Sequence, residues 1–158
     1  MIVIDGHNLL WAVHALADSP HVSDEVDLCR IISRYLRLVG ERGEIVFDGT
    51  GPSDKRVFDS ISALDVLFAG LGTDADTVIE DKVRASSASR EMTVISSDRQ
   101  LRRAVQSQRA TAMKADEFWK VVLKELSQKH VDQEPSAKQQ GLSESETDQW
   151  LEMFGLDQ

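Results

Sequence analysis

Cysteine is nearly absent. Cys29 is the single one in 158 residues, so no internal disulfide can form and a reducing compartment fits. Cys29 lies in an apolar helical face, which makes it a small core residue. Basic residues are scarce at the start: none precedes Arg30, and Asp5 stands where a secretory signal needs positive charge. That pattern excludes a signal peptide although residues 9–17 are apolar. No apolar run reaches the roughly 18 residues of a membrane span. No Gly-x-Gly-x-x-Gly follows the first strand, which argues against a dinucleotide site. A soluble, cytoplasmic protein is the expectation. Positive charge is also short overall, with 18 Lys and Arg against 27 Asp and Glu and a net charge of −9. A protein that grips nucleic acid by bulk charge alone is thereby disfavoured. Seven acids against two lysines put −5 in residues 127–158 and leave −4 for residues 1–126.

What is present is a set of short apolar runs that each end in a carboxylate. Asp5 ends Met1-Ile2-Val3-Ile4, and Asp48 ends Glu44-Ile45-Val46-Phe47. Asp98 follows Thr93-Val94-Ile95-Ser96-Ser97, and Asp76 opens a helical stretch that also carries Glu80. Such runs read as buried parallel strands whose C-terminal tips share one rim. In open α/β sheets that rim is where sites are built. Carboxylates gathered there repel one another unless a cation joins them, and a hard divalent metal takes oxygen ligands.

The periodicity predicts strands near 2–5, 44–48, 63–68, 92–96 and 110–113. Helices are expected near 7–17, from Ser23 or Asp24 to Val39, and over 74–89, 98–107 and 115–128. Val26, Cys29, Ile32, Leu36 and Val39 recur at helical spacing, and Gly40 closes that helix. Alternation of strands and helices argues for a parallel sheet with right-handed crossovers. A single α/β domain over residues 1–128 is expected, with a central parallel sheet flanked by helices. Residues 129–142 read as a flexible linker. Residues 143–158 read as a short amphipathic helix opened by the capping box Ser143-Glu144-Ser145-Glu146. Its patch of Trp150, Leu151 and Phe154 needs a surface to dock on, either the domain or a protein or ribonucleoprotein partner.

Each acid has a plain alternative. Asp5 could be only a helix cap, Asp48 a turn residue, and Asp76 an acid favoured by the helix dipole. Asp74 is read as a cap and Asp81 as a solvated helix residue. Joint placement at successive strand tips is what favours a metal. Asn8 adds a polar group at the same rim, and Asp76 and Glu80 share a helix face. Trp11 and Trp119, with apolar neighbours, are expected in the core, and His14 and His21 are expected to be structural or exposed.

Asp5-Gly6-His7-Asn8-Leu9-Leu10, Phe47-Asp48-Gly49, Ala75-Asp76-Thr77-Val78-Ile79-Glu80 and Ser96-Ser97-Asp98 resemble the successive motifs of NYN domains, most closely the YacP-type branch within the PIN-like nuclease fold. The resemblance covers about residues 1–125. His7 stands where the family usually has an aromatic, and Ser96 where it often has Thr. The resemblance implies a PIN-like parallel sheet, Mg²⁺ or Mn²⁺, and endonucleolytic cleavage of RNA to 5′-phosphate and 3′-hydroxyl ends. Carried over, Asp5, Asp76 and Asp98 are metal ligands with Asp48 as a further member, and Asn8 and Glu80 support them. Hydrolysis of a phosphodiester needs an activated water and neutralised phosphoryl charge, which such metals supply. Contacts to RNA are expected from Ser96, Ser97, Arg99, Arg102, Arg103, Lys55, Arg56 and His7.

Two alternatives stay open. One is a catalytically inactive RNA-binding or adaptor domain of the same fold. The other is a receiver-type phospho-acceptor domain, using Asp5, Asp48, Ser96 and Lys114. Truncation near residue 130 is expected to reduce stability or activity; a truncated chain as stable and active as the whole would show that the tail needs no docking surface.

Overall fold

The computed structural model describes residues 1–16 and 22–139, with side chains described up to residue 128. The expected helix at 143–158, with its Trp150–Phe154 patch, lies outside the described residues, as do Pro20 and His21. The elements run β1 (Ile2–Asp5), α1 (Gly6–Ala15), α2 (Glu25–Val39), β2 (Gly43–Phe47), β3 (Leu64–Phe68), α3 (Ala75–Ala85), β4 (Thr93–Ile95), α4 (Arg99–Ser107), β5 (Thr111–Met113) and α5 (Ala115–Gln139).

All five strands are parallel, in the order β3-β2-β1-β4-β5. The first strand is therefore the central one. Asp5 pairs across to Val46, and Ile4 to both Ile45 and Ile95. Strand side chains alternate between two cores, as the period of two requires. Ile4, Ile45, Phe47 and Ile95 pack with α1, α2 and α5 on one face, around Leu9, Leu28, Ile32 and the fully buried Trp119. Val3, Val46 and Val94 pack with α3 and α4 on the other, against Ile79, Val83, Leu101 and Val105. Each such side chain contributes roughly 1.5–3 kcal/mol by leaving water, so both faces of β1 are strongly held. Cys29 is buried as expected.

Local chemistry sets the helix ends. Asp24 accepts from the Asp27 N–H at the start of α2, and Gly40 ends it at φ 71°. Helix α3 stops at Ala85, short of the expected 89, because Ser86 Oγ accepts from the Ala88 N–H and gives the backbone another partner. Helix α5 runs on to Gln139, so residues 129–139, expected as linker, continue a helix. Among the described residues, no helix is long and apolar enough to cross a membrane.

Gly6, the first residue of α1, lies against Phe47, and a Cβ there would collide with the Phe47 ring. That contact sets α1 directly on the tip of β2. Arg109 takes the left-handed conformation (φ 71°) that ends α4, with the Ala110 N–H donating back to the Val105 carbonyl at 3.1 Å. A side chain there costs about 1 kcal/mol. Arg109→Gly is expected to raise stability by up to that amount, seen as a higher urea midpoint with an unchanged slope.

Candidate active site

The chain leaves β1 toward β2 on one side and β4 toward β5 on the other. The sheet order thus reverses between β1 and β4, the position where open α/β sheets form a crevice. A cavity of about 530 Å³ opens there, lined by Asp5, His7, Asn8, Trp11, Ala12, Asp48, Asp74, Asp76, Ser97 and Asp98. The structure brings together Asp5, Asp48, Asp76, Asp98, Asn8, His7 and Ser97 of the expected residues.

Backbone N–H groups at helix starts orient most of these acids. Asp48 Oδ1 accepts from the Ala75 N–H at 2.8 Å, fastening the tip of β2 to α3. Asp98 Oδ1 accepts from Leu101 N–H at 2.9 Å and Asp74 Oδ1 from Thr77 N–H at 2.8 Å. These are N-caps, as expected for Asp74, and the helix dipoles favour the negative charge. Asp48 and Asp98 each commit one oxygen this way.

Asp5 is only 6% exposed. Ser96 Oγ donates to its Oδ2 at 2.9 Å and accepts from the Asp98 N–H at 3.1 Å. Burial pushes the Asp5 carboxyl up to about 7; the Ser96 hydrogen bond opposes this, and the charges of Asp76 and Asp48 add to it. Asp76 is also raised, first by burial and then by the charges of Asp98 and Asp74. The two carboxyls perturb each other, and Asp76 disfavours ionisation of Asp5.

Neighbouring residues brace the rim. Asn8 Oδ1 accepts from the Ser97 N–H at 2.8 Å, and Ser97 Oγ accepts from the Ala115 N–H at 3.1 Å. His7 Nε2 lies 3.2 Å from Glu25, its Nδ1 lies 3.8 Å from Asp48 Oδ2, and its ring tilts against Phe47. His14 is structural, with Nε2 2.6 Å from the Val22 carbonyl.

Several expected contacts are placed differently. Ser96 is fully buried with its hydroxyl committed on both sides, so it positions Asp5 and Asp98 instead of touching substrate. Glu80 does not line the cavity, because one helical turn carries it about 6 Å along α3 from Asp76. Arg56 is held by Asp54 at 2.9 Å, and Lys55 Nζ sits 5.6 Å over the Phe68 ring. Arg99, Arg102 and Arg103 lie on α4 but do not line the cavity, and neither does Lys114. Trp119 is buried as expected, but Trp11 is 79% exposed and forms part of the cavity wall. Its spacing of three and four residues from Asn8 and His7 was the available signal. Glu25, the partner of His7, had no such signal.

Among the described residues, no group of three carboxylates, imidazoles or thiols is arranged to hold a metal ion in this conformation. The donor chemistry still fits a hard cation. The carboxylate oxygens of Asp5, Asp48, Asp76 and Asp98 line one cavity, and the burial and mutual repulsion that raise Asp5 and Asp76 are what a divalent ion would relieve. Mg²⁺ binds through one or two carboxylates plus waters, so a closed protein cage is not required.

A family profile described as the YacP-like NYN domain matches residues 2–154. No curated protein matches the chain. Two crystal structures of Rae1 (YacP) from Bacillus subtilis share its fold. One superposes with a TM-score of 0.72 at 17% identity, covering 96% of this chain and 89% of that one. The other, of a point mutant, gives 0.65 at 18% identity, covering 97% and 91%.

The Asp5 carboxyl makes a pH prediction. Its folded value of about 7 exceeds the ordinary 3.8, so the folded state keeps a proton that the unfolded state releases. Its contribution to stability is complete below about pH 4 and is lost as pH rises to about 7. With chelator present, Asp5→Asn is expected to remove that fall and to melt a few degrees higher than the parent at pH 8. Parallel melting curves across pH 4–8 would contradict a raised, buried Asp5 carboxyl.

Proposed function

The chain belongs to the YacP-like NYN domain family, and we propose that it is a metal-dependent endoribonuclease that hydrolyses RNA to 5′-phosphate and 3′-hydroxyl ends. The observation that carries this reading is the convergence of Asp5, Asp48, Asp76 and Asp98 on one open cavity at the sheet's reversal point. Four acids held together against their own repulsion need a purpose beyond folding, because folding would be easier without them.

Asp5, Asp76 and Asp98 would hold Mg²⁺ or Mn²⁺. When bound, such an ion neutralises charge on the phosphoryl oxygens and acidifies a water molecule. Asp48 would orient the attacking water. Its Oδ1 is fixed by the Ala75 N–H, while Oδ2 faces His7 and the cavity. Glu80, the other candidate for that role, stands outside the cavity lining. Ser96 keeps Asp5 and Asp98 in register, and Asn8 ties α1 to the segment after β4.

The test is RNA cleavage by the purified chain in Mg²⁺ and in Mn²⁺. Asp5→Asn and Asp98→Asn are expected to lose on the order of 100-fold or more, and Ser96→Ala about 10- to 100-fold, the scale for residues that orient metal ligands. Chelator should abolish all cleavage. Undiminished cutting by Asp98→Asn would rule out this site. No cutting by the parent chain in either metal would favour the inactive RNA-binding reading.

A further inference from the structure

Among the described residues, Trp11 is the one large aromatic at the cavity that the carboxylate chemistry does not use. It is 79% exposed, whereas Trp119 is fully buried. An indole left in water gives up one of the largest burial contributions a side chain can make, and this one stands beside the acid cluster. Helix α1 fixes it there. Leu9 and Val13 are fully buried and anchor the helix, while His7, Asn8 and Trp11 all line the cavity. The helix begins one residue after Asp5, so the indole is carried on a rigid element joined directly to the acid cluster.

The charge of the site sharpens the question of how substrate is held. Among the described residues, five aspartates line the cavity and no Lys or Arg does. Protein charge at the cavity wall therefore repels phosphate. Stacking on an aromatic face is an uncharged contact that every base can make, and it does not depend on sequence. A base within a duplex already has both faces covered; an unpaired base has a face to offer.

We propose that Trp11 is a stacking platform for an unpaired base, placing the adjoining phosphate over the carboxylate cluster and restricting the substrate to single-stranded RNA. This rests on the nuclease reading for the scissile phosphate, while the stacking contact itself can be measured without cleavage.

The experiment uses the full chain carrying Asp98→Asn, in Mg²⁺, with a fluorescent single-stranded oligoribonucleotide and a hairpin whose stem has the same sequence. Trp11→Ala in that background is expected to weaken single-strand binding about tenfold or more, the scale of one lost base–aromatic stack. Trp11→Phe should restore most of it. Stem binding should be weak and unchanged in all three. Cleavage by chains that retain Asp98 is measured alongside. Weaker binding with Trp11→Ala, even if no chain cuts RNA, supports the platform and removes only the nuclease reading. Metal-dependent cutting in which Trp11→Ala binds and cuts single strands as well as the parent overturns the platform and leaves the nuclease reading standing. Equal losses on strand and stem, or no single-strand binding by the parent, also overturn it.

Discussion

The repulsion among clustered carboxylates, with Asp5 buried at the tip of the central strand, and the way the fold contains it, governs the rest of this structure. Asp5 ends the central strand with almost no solvent access, between Asp48 and Asp76. Desolvation and like charge both oppose ionisation there and raise the Asp5 and Asp76 carboxyls. The two cores on either side of β1 supply the stability that lets such a cluster persist.

The same hydrogen bonds that terminate secondary structure also aim the acids. Asp98 caps α4, Asp48 reaches across to the start of α3, and Ser96 joins Asp5 to the backbone of Asp98. Asn8 and Ser97 tie α1, the segment after β4, and the start of α5 into one rim. Gly6 permits this closeness, since any larger residue would push α1 away from Phe47. Folding and site geometry therefore rest on one network.

Much of this was legible because the relevant signals are short and local. An apolar run ending in an acid marks a buried strand and its tip, and family motifs at Asp5, Asp48, Asp76 and Asp98 agreed with that reading. What escaped was decided by geometry that spacing leaves open. Trp11 has apolar neighbours on both sides in sequence, so it read as core; only the helix face it shares with His7 and Asn8 turns it outward. Ser96 read as a substrate contact, but its hydroxyl faces Asp5 beneath the rim. Arg56 read as a phosphate grip, yet a turn brings Asp54 onto it. Glu80 shares a face with Asp76 but stands a turn too far down α3. The continuation of α5 past residue 128 carries no apolar signature at all.

The central position of β1 has a consequence for how the protein comes into being. The strand made first can pair on its β4 side only after residues 93–95 have been synthesised, and Asp5 meets Ser96 across a separation of 91 residues. Closing so long a loop is an entropic cost borne late in folding. A nascent chain that has emerged only through α3 holds Asp5, Asp48 and Asp76 but neither Ser96 nor Asp98. The growing polypeptide therefore lacks a complete acid cluster until the segment after β4 has joined the sheet.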